Sequence, residues 1–302
     1  MTTTQQSDLT ALVLESIEQH GSQARAAVAL GVNAAYLTHI IQGKLEKVSE
    51  AQWNKIALSL NYSAQGWVMV PCVNTKQMDM YLSDAKSQSM MLAVSSPAGS
   101  GKTSYARHFA RQHRAGNVYM LECGVWRAKT FLRALCSALG IYTDNINNRT
   151  ADFYMEKAVE FLNAVGGRQP LVILDEFADL KPCAFASMKT LYNRLEDNVG
   201  IVMMATEHLE QVIDRGVSLK RKGYDEVSSR LGRKFLKLRG MTEKEVAAVA
   251  VANGVENKHA HRRIWSGSMP RKIEWDGGIL EVVPDLRRMK RMIKQERLML
   301  AN

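Results

Sequence analysis

A glycine-rich segment constrains the fold of this chain more than any other feature of its sequence. It reads Ser96-Pro97-Ala98-Gly99-Ser100-Gly101-Lys102-Thr103 and follows an apolar run at 90–95. In a phosphate-binding loop, backbone N–H groups and a helix N-terminus converge on phosphate oxygens, so the loop needs a strand before it and a helix after it. The lysine reaches the β- and γ-phosphates and the next hydroxyl holds Mg²⁺. We therefore predict that residues 96–103 bind ATP and that Thr103 is a Mg²⁺ ligand.

The loop departs from the usual pattern at its first position. Ser96 stands where the pattern G-x-x-x-x-G-K-[ST] has its first glycine. A small residue is compatible with this position if its φ is negative. The sequence gives no further reason for the serine.

A second motif lies 73 residues after the loop lysine, where Leu171-Val172-Ile173-Leu174 is followed by Asp175-Glu176. Four apolar residues are typical of a buried strand, which would present both acids at its carboxyl end. We predict that Asp175 is part of the nucleotide site and orients Mg²⁺ through water. Glu176 is then the candidate general base for the attacking water. The alternative is a buried strand that simply ends in acids.

A third apolar run ends in polar residues, at Ile201-Val202-Met203-Met204-Ala205-Thr206-Glu207. Thr206 is the candidate for a catalytic side chain between the γ-phosphate and the water, with Glu207 as the second choice. A strand-terminal hydroxyl that only satisfies the backbone is the competing interpretation.

Charge on a transferred phosphoryl group requires cations. Ser229-Arg230-Leu231-Gly232-Arg233 precedes the last strand candidate, a usual place for an arginine that serves a neighbouring subunit, and we favour Arg230 over Arg233. Gly267-Ser268-Met269-Pro270-Arg271 is typical of the start of a helical lid, which makes Arg271 a second catalytic candidate. Each of these arginines could instead contact DNA or face solvent.

Alternating strands and helices predict an α/β fold with a parallel sheet and helices on both faces. The strand candidates are 90–95, 118–122, 171–174, 201–205 and 235–238, and the helices between them are 103–114, 128–139, 151–165 and 184–197. We divide the chain into an N-terminal all-α domain (1–64), a linker (65–76), a nucleotide-binding core (77–240) and a small C-terminal helical lid with a basic tail (241–302).

The N-terminal region has the pattern of a helix-turn-helix at 23–43. Gly31 supplies a positive φ to end the first helix, and Asn33 is a suitable N-cap for the second. The DNA-facing candidates on the second helix are Asn33, Thr38 and His39. Few of these are the Arg, Asn or Gln side chains that discriminate strongly between bases, so we expect little sequence preference. A small bundle whose turn serves only packing is the alternative.

The charge of the chain favours a polyanionic partner, because the net charge is +10. Two segments, 214–239 and 261–302, carry most of the excess of lysine and arginine. Further DNA-contact candidates are Arg127 and Lys129, in a loop after the second strand, and the basic helix residues Arg287, Arg288, Lys290 and Arg291.

Two observations indicate a cytoplasmic protein. The four cysteines contain no C-x-x-C pair, which favours a reducing compartment. No apolar run approaches the roughly 20 residues that span a bilayer. We expect no membrane association and a location in the cytoplasm of a bacterial host.

The order of these motifs resembles the phage Mu B transposition protein family, which belongs to the AAA+ ATPases. The resemblance covers most of 20–275 and depends on the segment 23–43, the loop ending in Gly101-Lys102-Thr103, the Asp175-Glu176 strand, and Ser229-Arg230. Residues 276–302 of the chain match no part of the family pattern. The resemblance implies an α/β P-loop AAA+ core flanked by a helix-turn-helix domain and a helical lid.

The resemblance also implies a function. Such proteins bind ATP and Mg²⁺, form homo-oligomeric helical filaments on duplex DNA without sequence specificity, and present that DNA to a transposase, which stimulates hydrolysis. ATP would then lie at subunit interfaces. Two alternatives remain open: a helix-turn-helix transcriptional regulator that nucleotide switches, and a replication initiator or helicase loader.

Overall fold

A computed structural model describes residues 3–60, 62, 67–113, 116–142 and 149–301 of the chain. The end of the predicted N-terminal domain at 63–64 and residues 65–66 of the predicted linker lie outside these ranges. The described residues form an N-terminal helical region, a central region that contains one parallel sheet, and a C-terminal region of helices and a hairpin.

The N-terminal region is a helical bundle, as the sequence predicts. Its helices are α1 (Thr3–His20), α2 (Gln23–Leu30), α3 (Ala34–Ile41) and α4 (Glu50–Ser59). Gly31 ends α2 in the left-handed conformation, and the Asn33 side chain accepts the Ala35 N–H at the start of α3. The chain bends by 118° between these two helices. Leu37 and Trp53 are buried at the centre of the bundle.

The central region alternates strands with helices. Its elements are α5 (Val73–Ser87), β1 (Met91–Ser95), α6 (Lys102–Gln112), β2 (Val118–Glu122), α7 (Ala128–Ala138), α8 (Ala151–Ala164), β3 (Leu171–Asp175), α9 (Pro182–Leu195), β4 (Gly200–Ala205), α10 (His208–Ser218) and α11 (Tyr224–Arg230). The strands are parallel in the order β1-β4-β3-β2. β2 therefore forms one edge of the sheet.

Both faces of the sheet are covered, which explains the continuous apolar runs of its strands. On β4, Ile201 and Met203 pack with α7 to α11, whereas Val202 and Met204 pack with α5 and α6. The architecture is the α/β core with a parallel sheet and helices on both faces that the sequence predicts, with helical regions on either side of it in the chain.

The segment predicted as a fifth strand, 235–238, is reduced to one parallel bridge between Val94 and Leu236. The Ser95 N–H donates to the Leu236 carbonyl at 2.9 Å, and the Leu236 N–H donates to the Ala93 carbonyl at 2.9 Å. The segment extends the sheet beyond β1.

The C-terminal region is helical, as predicted for the lid, and also contains a hairpin that the sequence analysis missed. Its elements are α12 (Glu243–Ala252), α13 (Lys258–Gly267), β5 (Arg271–Trp275), β6 (Gly278–Val282) and α14 (Leu286–Ala301). Asp276 and Gly277 both have positive φ, as a two-residue hairpin turn requires. Met289 and Ile293 of α14 are buried against α12 and α13, so the basic tail is a packed helix of the lid.

The predicted linker is also part of the packed structure where the model describes it. α5 begins at Val73, inside the predicted range 65–76. Val68 and the Asn253 side chain exchange two hydrogen bonds of 3.0 Å. Residues 67–72 are thereby held against the lid.

Candidate nucleotide site

The glycine-rich loop connects β1 to α6, the context that phosphate binding requires. Gly99 and Gly101 have φ values of 80° and 93°, in the region that glycine alone enters freely. A Cβ on Gly99 would overlap the carboxylate of Asp285, so this glycine also permits a close approach of the lid.

Ser96 has a structural reason that the sequence did not reveal. It is fully buried, and its φ is not positive. Its hydroxyl oxygen accepts the Leu238 N–H at 2.8 Å, which ties the loop to the segment that extends the sheet. Glycine could not make this bond. The segment 235–238 is joined to β1 by a single bridge, and the Ser96 hydroxyl adds a hydrogen bond that holds this segment to the loop.

Lys102 begins α6 and is buried in the loop. Its ammonium donates to the carbonyls of Ser96 at 2.6 Å and Pro97 at 3.0 Å, and to the Ser100 hydroxyl at 3.2 Å. Burial lowers the pKa of Lys102, while Asp175 and Glu176 oppose this shift. The acids thus help to keep the lysine charged for an anionic ligand.

Asp175 ends β3 beside the first turn of α6, because the carboxyl ends of parallel strands meet at one edge. Its Oδ1 accepts the Glu176 N–H at 3.1 Å, and the Thr103 side chain hydrogen-bonds to the carboxylate. Burial raises the pKa of Asp175. Its Oδ2 is buried and has no hydrogen-bond partner among the described residues. A hard cation prefers oxygen ligands of this kind, so Thr103 and Asp175 fit Mg²⁺.

Glu176 follows in the left-handed conformation, with φ of 49°. Non-glycine residues with positive φ are uncommon and store strain that is often found at functional sites. This turn places Glu176 in the wall of the same cavity as the glycine-rich loop. Burial raises the pKa of Glu176, and Asp175 and Asp179 raise it further. A carboxylate with a raised pKa is the better proton acceptor.

Thr206 lies at the end of β4, next to β1, and lines the cavity. The Ser95 hydroxyl donates to its carbonyl at 3.3 Å. Glu207 is close enough to Lys102 to raise the pKa of that lysine. Both residues are therefore near the site, and the role of Thr206 stays a prediction.

The lid brings Arg287 to the cavity and does not bring Arg271. Arg271 is exposed on β5, and the described lining residues do not include it. Arg287 lines the cavity and influences the pKa values of Lys102 and Glu176. The Leu286 N–H donates to the Gly99 carbonyl at 2.8 Å, which fixes the first turn of α14 on the loop.

Arg230 is held away from the cavity of its own chain. It ends α11, and its guanidinium donates to Asn193 Oδ1 at 2.5 Å and lies 5.4 Å from the ring centre of Tyr192. Arg233 instead forms an ion pair of 3.0 Å with Asp225. Neither arginine is among the described residues that line the cavity.

The predicted DNA-contact residues of the first two regions are spread over separate surfaces. Asn33 is exposed, whereas Thr38 and His39 are half-buried. The Thr38 hydroxyl accepts a bond of 2.5 Å from the Gln23 side chain, so it is engaged within the bundle. Arg127 and Lys129 are exposed at the start of α7, at the carboxyl end of the sheet.

The basic residues of α14 have different surroundings. Lys290 lines the cavity with Arg287, and its ammonium lies 4.9 Å from the ring centre of Trp67. Arg288 is exposed but donates to the Gly267 carbonyl at 2.6 Å. Arg291 is exposed. Two of the four predicted DNA-contact residues of α14 therefore lie at the nucleotide cavity.

The cavity has a volume of about 210 Å³. The glycine-rich loop and Glu176 form one part of its lining. The rest is largely apolar and includes Trp67, Met69, Met78, Leu238, Met241, Val249 and Met289. This lining suits a ligand with a polyanionic part and an apolar part.

Comparison with known protein families agrees with this geometry. Residues 85–213 match the family model described as an AAA domain. The matched residues contain the glycine-rich loop, the Asp175-Glu176 strand and Thr206, and the lid and the N-terminal bundle lie outside them. The match to an AAA domain implies nucleotide binding at the cavity.

One solved structure that is similar to this chain is Cdc6p from Pyrobaculum aerophilum, with 13% identity and a TM-score of 0.47. The alignment covers 63% of this chain and 52% of that protein, so the chain spans about half the length of this relative. No curated protein sequence matches the chain. In the described ranges, no single helix is both long enough and apolar enough to cross a membrane.

Proposed function

We propose that this chain is an ATP-dependent, sequence-nonspecific DNA-binding ATPase that assembles on duplex DNA and presents it to a transposase. The observation that carries the proposal is that Lys102, Thr103 and Glu176 line one cavity, with Asp175 hydrogen-bonded to Thr103 beside it. This set contains the groups that phosphoryl transfer to water requires. The DNA and transposase parts rest on the charge and on the resemblance.

In the proposed reaction, the Lys102 ammonium exchanges its bonds to the Ser96 and Pro97 carbonyls for the β- and γ-phosphate oxygens. Mg²⁺ bound at Thr103 and Asp175 would neutralise charge on the same oxygens. The Glu176 carboxylate accepts a proton from the water as its oxygen attacks the γ-phosphorus. The bond from that phosphorus to the bridging oxygen breaks, and ADP and phosphate leave. Thr206 orients the water.

In this proposal, two arginines supply further positive charge to the transferred phosphoryl group. Arg287 supplies the cation of the lid that the sequence assigned to Arg271, because it lines the cavity and lies near Lys102 and Glu176. Arg230 serves the cavity of a neighbouring copy, which its position outside its own cavity supports. Hydrolysis would then require assembly.

Mixed assemblies test the role of Arg230. Arg230→Ala and Lys102→Ala subunits should each be inactive alone, since one lacks the cation in trans and the other lacks the phosphate ligand. In a mixture, an intact Lys102 site can meet an intact Arg230, so we expect ATPase activity to recover partly. Arg233→Ala is the matched control and should stay active. No recovery at any mixing ratio would refute a role in trans.

DNA binding without sequence preference depends mainly on phosphate neutralisation, with a salt slope of about 0.9 for each phosphate contacted. Arg127 and Lys129 are exposed at the carboxyl end of the sheet, where an assembly could align them along DNA. Replacing both with Gln should reduce the salt slope of ATP-dependent binding by about 1.8. Lys244→Gln with Lys258→Gln, on the lid, is the control. An unchanged slope would remove the first pair from the DNA surface.

Three outcomes on arbitrary duplex DNA separate the proposed function from its alternatives. We expect ATP-dependent filaments on any sequence, visible by electron microscopy, which Lys102→Ala abolishes. A footprint at one operator with little ATPase would favour a transcriptional regulator. Stable association with a replicative helicase would favour a loader. A transposase encoded beside the gene should accelerate hydrolysis on DNA, and no effect of it would argue against the transposition role.

A further inference from the structure

Asn74 is an unusual residue in the wall of the cavity. It lies in the first turn of α5, and 4% of its surface is exposed. Both its amide nitrogen and its amide oxygen are buried, and neither has a hydrogen-bond partner among the described residues. An unsatisfied buried amide is costly. Natural proteins keep such groups rarely, so each one requires an explanation.

The position of Asn74 in the cavity indicates which part of a bound nucleotide it contacts. The phosphates of a nucleotide belong at the glycine-rich loop, so we place its base against the apolar part of the lining. Asn74 lines the cavity together with Trp67 and Met69, which precede α5, and Met78 of α5. Lid residues such as Met241 and Val249 also belong to this lining. Apolar side chains of this kind suit the faces of a purine base.

We propose that Asn74 recognises the adenine base of the bound nucleotide, an inference that rests on the proposed ATPase function. The amide oxygen accepts a hydrogen bond from the exocyclic N6 amino group, and the amide nitrogen donates to N7. A side-chain amide pairs with adenine in this bidentate way because its donor and acceptor have the same spacing as the base edge. Guanine presents two acceptors at this edge, so the amide oxygen would stay unpaired against it.

This assignment explains why a costly group is retained. The methionine and valine side chains of the lining offer no hydrogen bonds, whereas a ligand edge with one donor and one acceptor satisfies both amide atoms. A site built in this way rejects analogues that lack one partner, since a buried polar group is then left unpaired. Asn74 is therefore a specificity-determining residue.

Two analogues of ATP test each bond separately. Purine riboside triphosphate lacks the N6 amino group, and 7-deaza-ATP lacks the N7 acceptor. Titration calorimetry with the wild-type chain should show that ATP binds about 10-fold tighter than either analogue, a difference of about 1.4 kcal/mol. Equal affinity for all three ligands in the wild-type chain would overturn the inference without any variant.

Asn74→Leu is the informative substitution because leucine has a similar volume and no polar atoms. We expect it to bind all three triphosphates equally, with ATP affinity reduced by about 10-fold relative to wild type. Without nucleotide, its melting temperature should not fall, since it removes two unsatisfied atoms. A structural role for Asn74 would give the opposite pattern, in which the melting temperature falls and the preference for ATP persists.

Gln77→Leu is the matched control on the same helix. Its amide oxygen is also buried without a partner in the described part of the chain, but Gln77 is not among the described lining residues of the cavity. It should keep the full preference for ATP. If wild type bound no ATP, or bound it equally well after Lys102→Ala, the proposed function would fail and this inference with it. Lys102-dependent ATP binding without discrimination among the analogues would overturn the role of Asn74 alone.

Discussion

The N-terminal bundle and the C-terminal lid both pack on the central α/β region, but they contact it at different places. The bundle contacts the edge of the sheet, where the Gln19 side chain donates to the Val118 carbonyl of β2. The lid contacts the glycine-rich loop through the bond from Leu286 to Gly99 and supplies Arg287 to the cavity. A direct contact lets the lid respond to nucleotide. The bundle instead contacts β2, α7 and the C-terminal end of α6, where the Arg111 side chain donates to the Leu60 carbonyl at 3.1 Å.

Among single substitutions, the largest loss of activity should come from the central α/β region, with which both the bundle and the lid are compared. Replacing Glu176 with Gln removes the proton acceptor and keeps the side-chain shape, so we expect kcat to fall by about 10²- to 10⁴-fold. ATP binding should persist, as measured by calorimetry. Glu210→Gln, which removes a carboxylate of α10 outside the cavity, is the control.

The pH profile gives a second readout for Glu176. Its pKa is raised by burial and by the neighbouring acids, and only the deprotonated form accepts a proton. The wild-type rate should therefore decline on the acid side at a pH above the ordinary range of glutamate. This acid limb should disappear from the residual rate of Glu176→Gln. An identical limb in both proteins would assign the titration to another group.

The lid should show the next largest effect. Arg287→Ala removes a cation beside Lys102 and Glu176, and we expect kcat to fall by about 10- to 100-fold, the scale of a lost bond to a charged group. Arg271→Ala changes the same residue type in the same region but at the exposed hairpin, and it should leave steady-state ATPase activity unchanged. The contrast between the two lid positions fails if Arg271→Ala is the more damaging change.

The connection between loop and sheet should affect stability. Ser96→Gly restores the usual first residue of the loop but leaves the buried Leu238 N–H without its acceptor. We expect the free energy of unfolding to decrease by about 1–3 kcal/mol in denaturant titrations. Ser96→Thr keeps the hydroxyl and serves as a comparison for the hydrogen bond. A stability gain in Ser96→Gly would show that the bond to Leu238 contributes little.

The smallest effect should come from the bundle contact. Gln19→Ala removes the bond to β2 at a place remote from the cavity. Distant sites are usually independent within 0.3–0.5 kcal/mol, so ATP affinity should stay within about twofold of wild type. A larger change would mean that the bundle and the nucleotide site are coupled through the sheet.

Local patterns were sufficient to predict much of the core and part of the site. A glycine-rich loop between an apolar run and a helix admits few structures, and an apolar run that ends in Asp175-Glu176 places both acids at the carboxyl edge of the sheet. Gly31 likewise identified the C-terminus of α2, and Asn33 identified the N-terminus of α3. These features depend on residues close together in the sequence.

The lid shows where such patterns are insufficient. The sequence analysis takes Gly267 to Arg271 as the start of a helical lid. The dipeptide Asp276-Gly277, which follows the alternating side chains Ile273 and Trp275, is instead a hairpin signal. Which arginine reaches the cavity depends on how α14 packs on the loop, a contact between residues far apart in the chain. The unpaired amide of Asn74 was not predictable, since the absence of a partner is a property of the whole fold.

The position of the N-terminal bundle has a consequence for how the chain is made. β2 is an edge strand, and an uncovered parallel edge can pair with another chain. A ribosome completes residues 3–60 before β2 is synthesised, and domains generally fold in this order during synthesis. A finished bundle is thus available to contact β2 as soon as the sheet forms, through the bond from Gln19 to the Val118 carbonyl. We expect this contact to limit pairing of β2 with other chains during synthesis.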